Sequence, residues 1–173
     1  CLSSVNLRYY DDFKDNYQFF RDIAEMLDNV LNTFIKDSPP SIKRATFSAY
    51  RERSIGVGVL GFHTYLQQNN IPFESVVAKV KNKQIFKNIY DRLRKSNIEL
   101  GEERGSCPDF IEGNKDDSIE SLRFTHTIAI APTASTSILM GNISPSIEPY
   151  RANAYRQDTL SGSYMNKNHI LDN

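Results

Sequence analysis

Residues 127–150 constrain this chain more than any other stretch. Thr127-Ile128-Ala129-Ile130-Ala131 is a short apolar run that reads as a buried strand, Pro132 stops it, and Thr133-Ala134-Ser135-Thr136-Ser137 opens a helix that Gly141-Asn142 can close. A strand that turns into a helix through small hydroxylated residues leaves first-turn N–H groups uncovered at the positive end of the helix dipole. An anion can then approach the backbone closely. These residue types fit a phosphate cradle. They also fit an ordinary N-cap, in which Ser or Thr bonds its own helix, and spacing does not separate the two.

The 173 residues suffice for one domain with a real core. Lys plus Arg and Asp plus Glu number 21 each, so no overall field favours nucleic acid or an anionic membrane surface. No apolar run approaches the roughly 20 residues a membrane-spanning helix needs, and the first residues show no basic segment followed by an apolar one. A cytoplasmic protein is expected. Cys1 and Cys107 are too few for a disulfide framework and form no C-x-x-C pair, so a dithiol redox role needs a second cysteine from outside this chain. His63, His126 and His169 show no paired-ligand spacing, and no metal site is expected.

Cys1 to Leu7 reads as a short extended segment. From Tyr17 to Ile35, apolar residues at Phe19, Phe20, Ile23, Met26, Leu27, Val30, Leu31, Phe34 and Ile35 recur at helical spacing and are expected to face a core, until Asp37-Ser38-Pro39-Pro40 ends the helix. Ser41 to Arg53 is polar and basic, as a solvated helix would be.

Gly56-Val57-Gly58-Val59-Leu60-Gly61 spells the dinucleotide fingerprint G-x-G-x-x-G. It follows charged residues rather than a hydrophobic strand, and the acidic residue expected about 20 positions on is missing. A short strand from Ile55 to Val59, with glycines that permit close packing, followed by a helix from Gly61 to Gln68, is the better reading. Asn69 to Pro72 is a loop, and the longest helix starts at Glu74 or Ser75 and runs to Gly105. Its apolar side comprises Val76, Val77, Val80, Ile85, Phe86, Ile89, Tyr90, Leu93 and Ile98, and Gly101, which costs roughly 1 kcal/mol against Ala, should fray its last turn. Cys107 to Ser118 reads as a polar surface connection, and beyond Tyr150 no periodicity is clear.

Three segments carry a family resemblance. Ala131-Pro132-Thr133-Ala134-Ser135-Thr136, Gly141-Asn142 and Ser146-Ile147-Glu148-Pro149-Tyr150 resemble in order and spacing the substrate-diphosphate loop of class I ribonucleotide reductase large subunits. Ile71-Pro72-Phe73-Glu74-Ser75, Asn82-Lys83-Gln84-Ile85-Phe86 and Leu100-Gly101-Glu102-Glu103-Arg104-Gly105 are similar to a long helix of that family's barrel domain. Arg53-Ser54-Ile55-Gly56-Val57-Gly58-Val59-Leu60-Gly61 is a third match, and Leu160 to Tyr164 resembles the segment leading away from the substrate loop.

The resemblance implies an α/β fold: part of the family's ten-stranded α/β barrel, mostly helical with a few short strands. All of residues 1–173 would be one fragment of the catalytic barrel domain, with the diphosphate loop at 131–150. It further implies thiyl-radical reduction of a ribonucleoside diphosphate to the 2′-deoxy product. Pro132, Thr133, Ala134, Ser135, Thr136 and Ser137 would hold the diphosphate, and Cys1 would be one thiol of the electron-donating pair. Cys107 falls where the family places no catalysis.

The partners implied are the remainder of the large subunit, a metal-containing small subunit that generates the radical, and thioredoxin or glutaredoxin as dithiol reductant. No cofactor bound by this chain, no nucleic acid and no membrane are implied. The family's radical cysteine, in an Asn-x-Cys-x-Glu pattern, and the second reducing thiol are not found in these 173 residues, so the chain alone is expected to be inactive. The alternatives are a non-catalytic assembly piece of a split reductase and an unrelated phosphate-binding α/β protein.

Overall fold

The computed structural model describes residues 1–114, 121–159, 162–168 and 170. In chain order they form β1 (Leu2–Asn6), a 3-10 turn (Leu7–Tyr9), α1 (Tyr10–Phe13), α2 (Tyr17–Asp37), a second 3-10 turn (Pro40–Ile42), α3 (Lys43–Glu52), β2 (Gly56–Leu60) and α4 (Phe62–Gln68). Then come α5 (Val76–Arg104), α6 (Pro108–Gly113), α7 (Ala134–Leu139) and the strands β3 (Ala154–Thr159) and β4 (Gly162–Lys167). These residues gather into two compact units. The first comprises Cys1–Ser3, Phe13–Val57 and Gln84–Ala129, and the second Ser4–Asp12, Gly58–Lys83 and Ile130–Asn173.

β1 pairs with β2, all five residues of which are buried. The Gly56 N–H reaches Cys1 O at 2.8 Å, while the Val57 N–H reaches Thr127 O at 2.9 Å and Val57 bridges Ile128 in parallel. Successive N–H groups of a strand point to opposite sides, so β2 is central and has neighbours on both edges. A Cβ on Gly56 would lie 2.6 Å from the Ala129 Cβ and 2.7 Å from Leu2 Cδ2. This is the close packing expected of the glycine-rich run. The 127–131 run differs from expectation. It forms one bridge rather than a full strand, its first four residues other than Ile130 are half-buried, and Ile130 is exposed.

In the first unit, α2 begins at an Asn16 cap whose side chain accepts the Phe19 N–H at 3.3 Å. It buries Phe20, Ala24, Leu27 and Leu31, but Met26, Val30 and Phe34 are exposed. The apolar stripe is therefore wider than the face that the described residues cover. α5, whose residues up to Lys83 belong to the second unit, behaves alike: Ala78, Ile85, Ile89, Leu93 and Leu100 are buried, while Val76, Val77, Val80 and Tyr90 are exposed. Its start is capped by Ser75, whose Oγ accepts the Ala78 N–H at 3.1 Å. The last turn does not fray at Gly101. A Cβ there would stand 2.7 Å from Ser121 Oγ and 3.0 Å from the backbone nitrogens of Leu122 and Arg123, so glycine admits the close approach of that segment. The helix continues to Arg104.

The residues after Cys107 begin a helix rather than a surface connection. Pro108 occupies its first turn, and Arg51 of α3 clamps Asp109 and Glu112 of α6 with contacts of 2.5 and 2.6 Å. That tertiary support is invisible in a local sequence window. Lys115 to Ser118 of the expected loop, as well as Leu160, Ser161 and His169, lie outside the described residues. β3 and β4 form an antiparallel hairpin in register from Ala154 opposite Lys167 to Thr159 opposite Gly162. Several of its residues on both faces are exposed, which is why no alternation announced it.

The centre of the first unit is charged. Asp28 on α2 is fully buried and receives Arg53 Nη2 at 2.5 Å, Arg104 Nη1 at 2.9 Å and Arg123 Nε at 3.0 Å. Arg53, expected on a solvated helix, instead caps α3 in the left-handed conformation (φ 45°) and turns its guanidinium inward. Burial alone would raise the Asp28 carboxyl, but hydrogen bonds from Arg123, Arg53 and Arg104 hold it below the ordinary range. Replacing Asp28 by Asn strands three guanidinium groups in and around the core. Urea unfolding of Asp28→Asn is expected to show a loss of about 3–5 kcal/mol; a loss below about 1 kcal/mol would mean that the cluster is incidental. Because the folded pKa is depressed, this contribution is present above the unfolded value of about 4 and disappears as pH falls through the folded one.

Candidate functional site

The turn 131–137 lies in the second unit. Thr133 takes the N-cap position of α7 but its side chain makes no cap hydrogen bond. The hydroxyl instead accepts the Ser146 N–H at 2.7 Å, in surroundings where Thr133 is 6% and Ser146 2% exposed. With its oxygen occupied as an acceptor, the Thr133 hydroxyl keeps its proton for another partner. Thr133 O accepts the Ser137 N–H at 2.8 Å, and Ser137 Oγ donates to Ala134 O at 2.9 Å. Ala134, Ser135 and Thr136 are exposed, and their N–H groups find no acceptor among the described residues. The ordinary N-cap would have used the Thr133 hydroxyl on one of them, and it does not.

The helix closes at Gly141 (φ 92°) and Asn142 (φ 56°), with the Ile143 N–H returning to Ser137 O at 3.1 Å. The chain then runs back to α4. Gly61 N–H donates to Ser144 O at 2.8 Å, and Thr64 and Ser144 exchange bonds: Thr64 N–H to Ser144 Oγ at 3.1 Å and Ser144 N–H to Thr64 Oγ1 at 2.9 Å. Tyr150 closes the segment. Its hydroxyl lies 2.9 Å from Thr64 Oγ1 and donates to Asn142 O at 2.9 Å, while its N–H donates to His63 Nδ1 at 3.1 Å. Ser146 is left-handed (φ 43°), and its buried Oγ has no partner among the described residues. A cavity of about 500 Å³ touches this turn at Ala134 and Ser137 and is bordered by Pro145, Glu148 and Arg156.

Cys1 lies in the first unit and is exposed. Its carbonyl accepts the Gly56 N–H, and its backbone nitrogen lies 3.3 Å from Ser54 O. Ser54 Oγ in turn lies 2.9 Å from Glu52 Oε2, 2.8 Å from Thr125 Oγ1 and 3.2 Å from His126 Nδ1. Hydroxyls of Ser48 and Ser54 draw the Glu52 carboxyl below its usual range. Sequence reasoning did not single out this polar group. Its only signal was Ser54 inside a motif-matching segment. Cys107 is the opposite case, fully buried, with burial raising its thiol above the ordinary value. Among the described residues no cluster of His, Cys, Asp or Glu could hold a metal.

The sequence profile of the family described as "Ribonucleotide reductase, barrel domain" matches residues 1–122 and 116–173. The chain belongs to this family. Ribonucleoside-diphosphate reductase large subunits of Invertebrate iridescent virus 6 and Invertebrate iridescent virus 3 are 56% and 51% identical to it over 171 residues. These matches span 99% of this chain but 17% and 26% of the relatives. The large subunit of Danio rerio is 31% identical over 98% of this chain and 25% of its own length. The structure of the Actinobacillus ureae class Id ribonucleotide reductase alpha subunit superposes with a TM-score of 0.80 at 39% identity, covering 88% of this chain and 28% of that one.

The chain therefore spans less than a third of each of these relatives. Its fold is part of the ribonucleotide reductase α/β barrel, mostly helical with few strands. Within that barrel segment Pro132 to Ser137 come together as one turn in the second unit, while Cys1 is described in the first. The anchor formed by His63, Thr64, Ser144 and Tyr150 was missed, although Tyr150 closes a segment that matched the family. No sequence rule pairs a helix residue with a loop 80 positions away.

His63 makes part of this anchor pH-sensitive. Nδ1 must be unprotonated to accept the Tyr150 N–H, which puts the proton on Nε2, and burial lowers the pKa of the ring from its ordinary value. A depressed histidine contributes its stability above the unfolded pKa of about 6.5 and loses it as pH falls through the folded value. Melting curves from pH 7.5 to 5 should show a falling midpoint that His63→Gln removes. An identical slope in the variant would show that His63 is not the group responsible.

Proposed function

We propose that this chain supplies the diphosphate-binding turn and one redox thiol of a ribonucleoside-diphosphate reductase large subunit. The carrying observation is the first turn of α7, where the N–H groups of three exposed residues lack acceptors and the Thr133 proton is unclaimed among the described residues. A diphosphate presents several strong acceptor oxygens, and charge-assisted bonds to backbone N–H groups are among the stronger protein hydrogen bonds. Pro132 shapes the entry, Thr133 donates its hydroxyl, Ala134, Ser135 and Thr136 donate backbone N–H groups, and Ser137 braces the turn.

In this reading the ribose 2′-hydroxyl leaves as water and hydrogen takes its place. Two thiols lose two electrons and become a disulfide, with Cys1 as one of them and the second on the remainder of the subunit. Thioredoxin or glutaredoxin then reduces the disulfide. The radical that starts the chemistry comes from a metal-containing small subunit, and the assembly works in the cytoplasm. No described helix is long and apolar enough to cross a membrane, which is compatible with that location. By itself the chain turns over no substrate.

Two substitutions test the roles. The Ser135 N–H makes no intrahelical bond, so Ser135→Pro deletes a donor in the first turn without removing a helix hydrogen bond. In an enzyme assembled from this chain and the remainder of the subunit, diphosphate affinity should fall about tenfold or more, and Ser135→Ala should change it far less. Equal and negligible effects would return the turn to a plain helix start. Cys1→Ser should leave nucleotide binding intact and abolish multiple turnover, with Cys107→Ser nearly silent. A Cys1 that stays free after turnover without added reductant, as judged by disulfide mapping, would reduce it to a packing residue.

A further inference from the structure

We infer that Thr64 of α4 is a positioning residue for phosphate recognition, setting the Thr133 hydroxyl through the loop that follows α7; this rests on the diphosphate reading of that turn. Two of the hydrogen bonds have a fixed direction. Ser144 N–H donates to Thr64 Oγ1, and Tyr150 spends its own proton on Asn142 O. The Thr64 hydroxyl proton is then available to the 2.9 Å contact with Tyr150, with Ser144 Oγ at 3.4 Å as its longer alternative acceptor. The series Ser144 N–H, Thr64 O–H, Tyr150 O–H and Asn142 C=O closes the loop on itself through a single side chain of another element.

Ser146 follows two residues after Ser144. Its left-handed backbone aims its N–H at Thr133 Oγ1, and its own carbonyl is held by the Phe62 N–H of α4 at 3.3 Å. Thr64 and Ser144 are both fully buried, so water cannot replace a lost partner there. Removal of the Thr64 hydroxyl leaves the Ser144 N–H and the Tyr150 hydroxyl short of a partner. The segment that carries Ser146 shifts, and the Thr133 hydroxyl turns back toward its own helix as an ordinary cap. Thr64 never touches the phosphate.

Isothermal titration of the full chain with inorganic pyrophosphate tests the assignment. Thr64→Val keeps the shape and deletes the hydroxyl, and should weaken binding about tenfold. Thr64→Ser restores the hydroxyl and should bind within about threefold of the original. Leu66→Val, a core change on the same helix, should lower the melting point without changing affinity, which separates positioning from general destabilisation. Should Thr64→Val fail to fold, Tyr150→Phe cuts the same series at its next member and should weaken binding about threefold. Unchanged affinity in Thr64→Val, or in Tyr150→Phe where that replaces it, overturns the role of Thr64 and leaves the diphosphate turn standing. Loss of binding in Leu66→Val equal to that in Thr64→Val also overturns it. A wild-type chain that binds no pyrophosphate overturns the diphosphate reading itself.

Discussion

Backbone N–H groups buried in a protein must find acceptors, and in the second unit that requirement dictates the path from Asn142 to Tyr150. The N–H groups of Ser144, Ser146 and Tyr150 are each satisfied by a side chain: Thr64, Thr133 and His63. Because these acceptors come from α4 and from the entry to α7, the loop has little freedom to choose another route. At the exposed first turn of α7 the N–H groups of Ala134, Ser135 and Thr136 have no acceptor among the described residues. A short helix with a satisfied base and an open N-terminus is thus produced by ordinary hydrogen-bond accounting, and the same geometry suits it to an oxyanion.

The first unit obeys an electrostatic version of that rule. Asp28 would be costly to bury alone, and three guanidinium groups from α3, the end of α5 and the chain at Arg123 offset that cost. The cluster ties segments far apart in sequence at the depth of the core. Glu25 and Asn29 take remaining donors of Arg104, and the carbonyls of Arg104 and Gly105 take those of Arg123. The two cysteines illustrate how environment sorts one residue type. Cys107 is buried, which disfavours the thiolate, while Cys1 is exposed at the start of β1, where exchange with another thiol is chemically open.

Much of the element order was legible because it follows from local signals. Ser75 and Gly141 mark helix ends, the prolines after Asp37 stop α2, and the glycine-rich run of β2 gave a buried strand rather than a nucleotide loop. What stayed hidden depends on distant partners. α6 needs Arg51 from α3, Gly101 needs the approach of residues 121–123, and Arg53 looked solvated because Asp28 is 25 residues away. The hairpin of β3 and β4 carries no apolar alternation to betray it. At the site, residue types in the turn suggested a cradle, but the fate of the Thr133 hydroxyl, which separates a cradle from a cap, is a tertiary fact set by Ser146.

The central claim is that the first turn of α7 holds phosphate through its backbone, and amide NMR of the chain titrated with inorganic pyrophosphate tests it most directly. Resonances of Ala134, Ser135 and Thr136 should move together and saturate with a single affinity, while amides around Asp28 stay still. Saturable shifts confined to other residues, or none at these three, would contradict it.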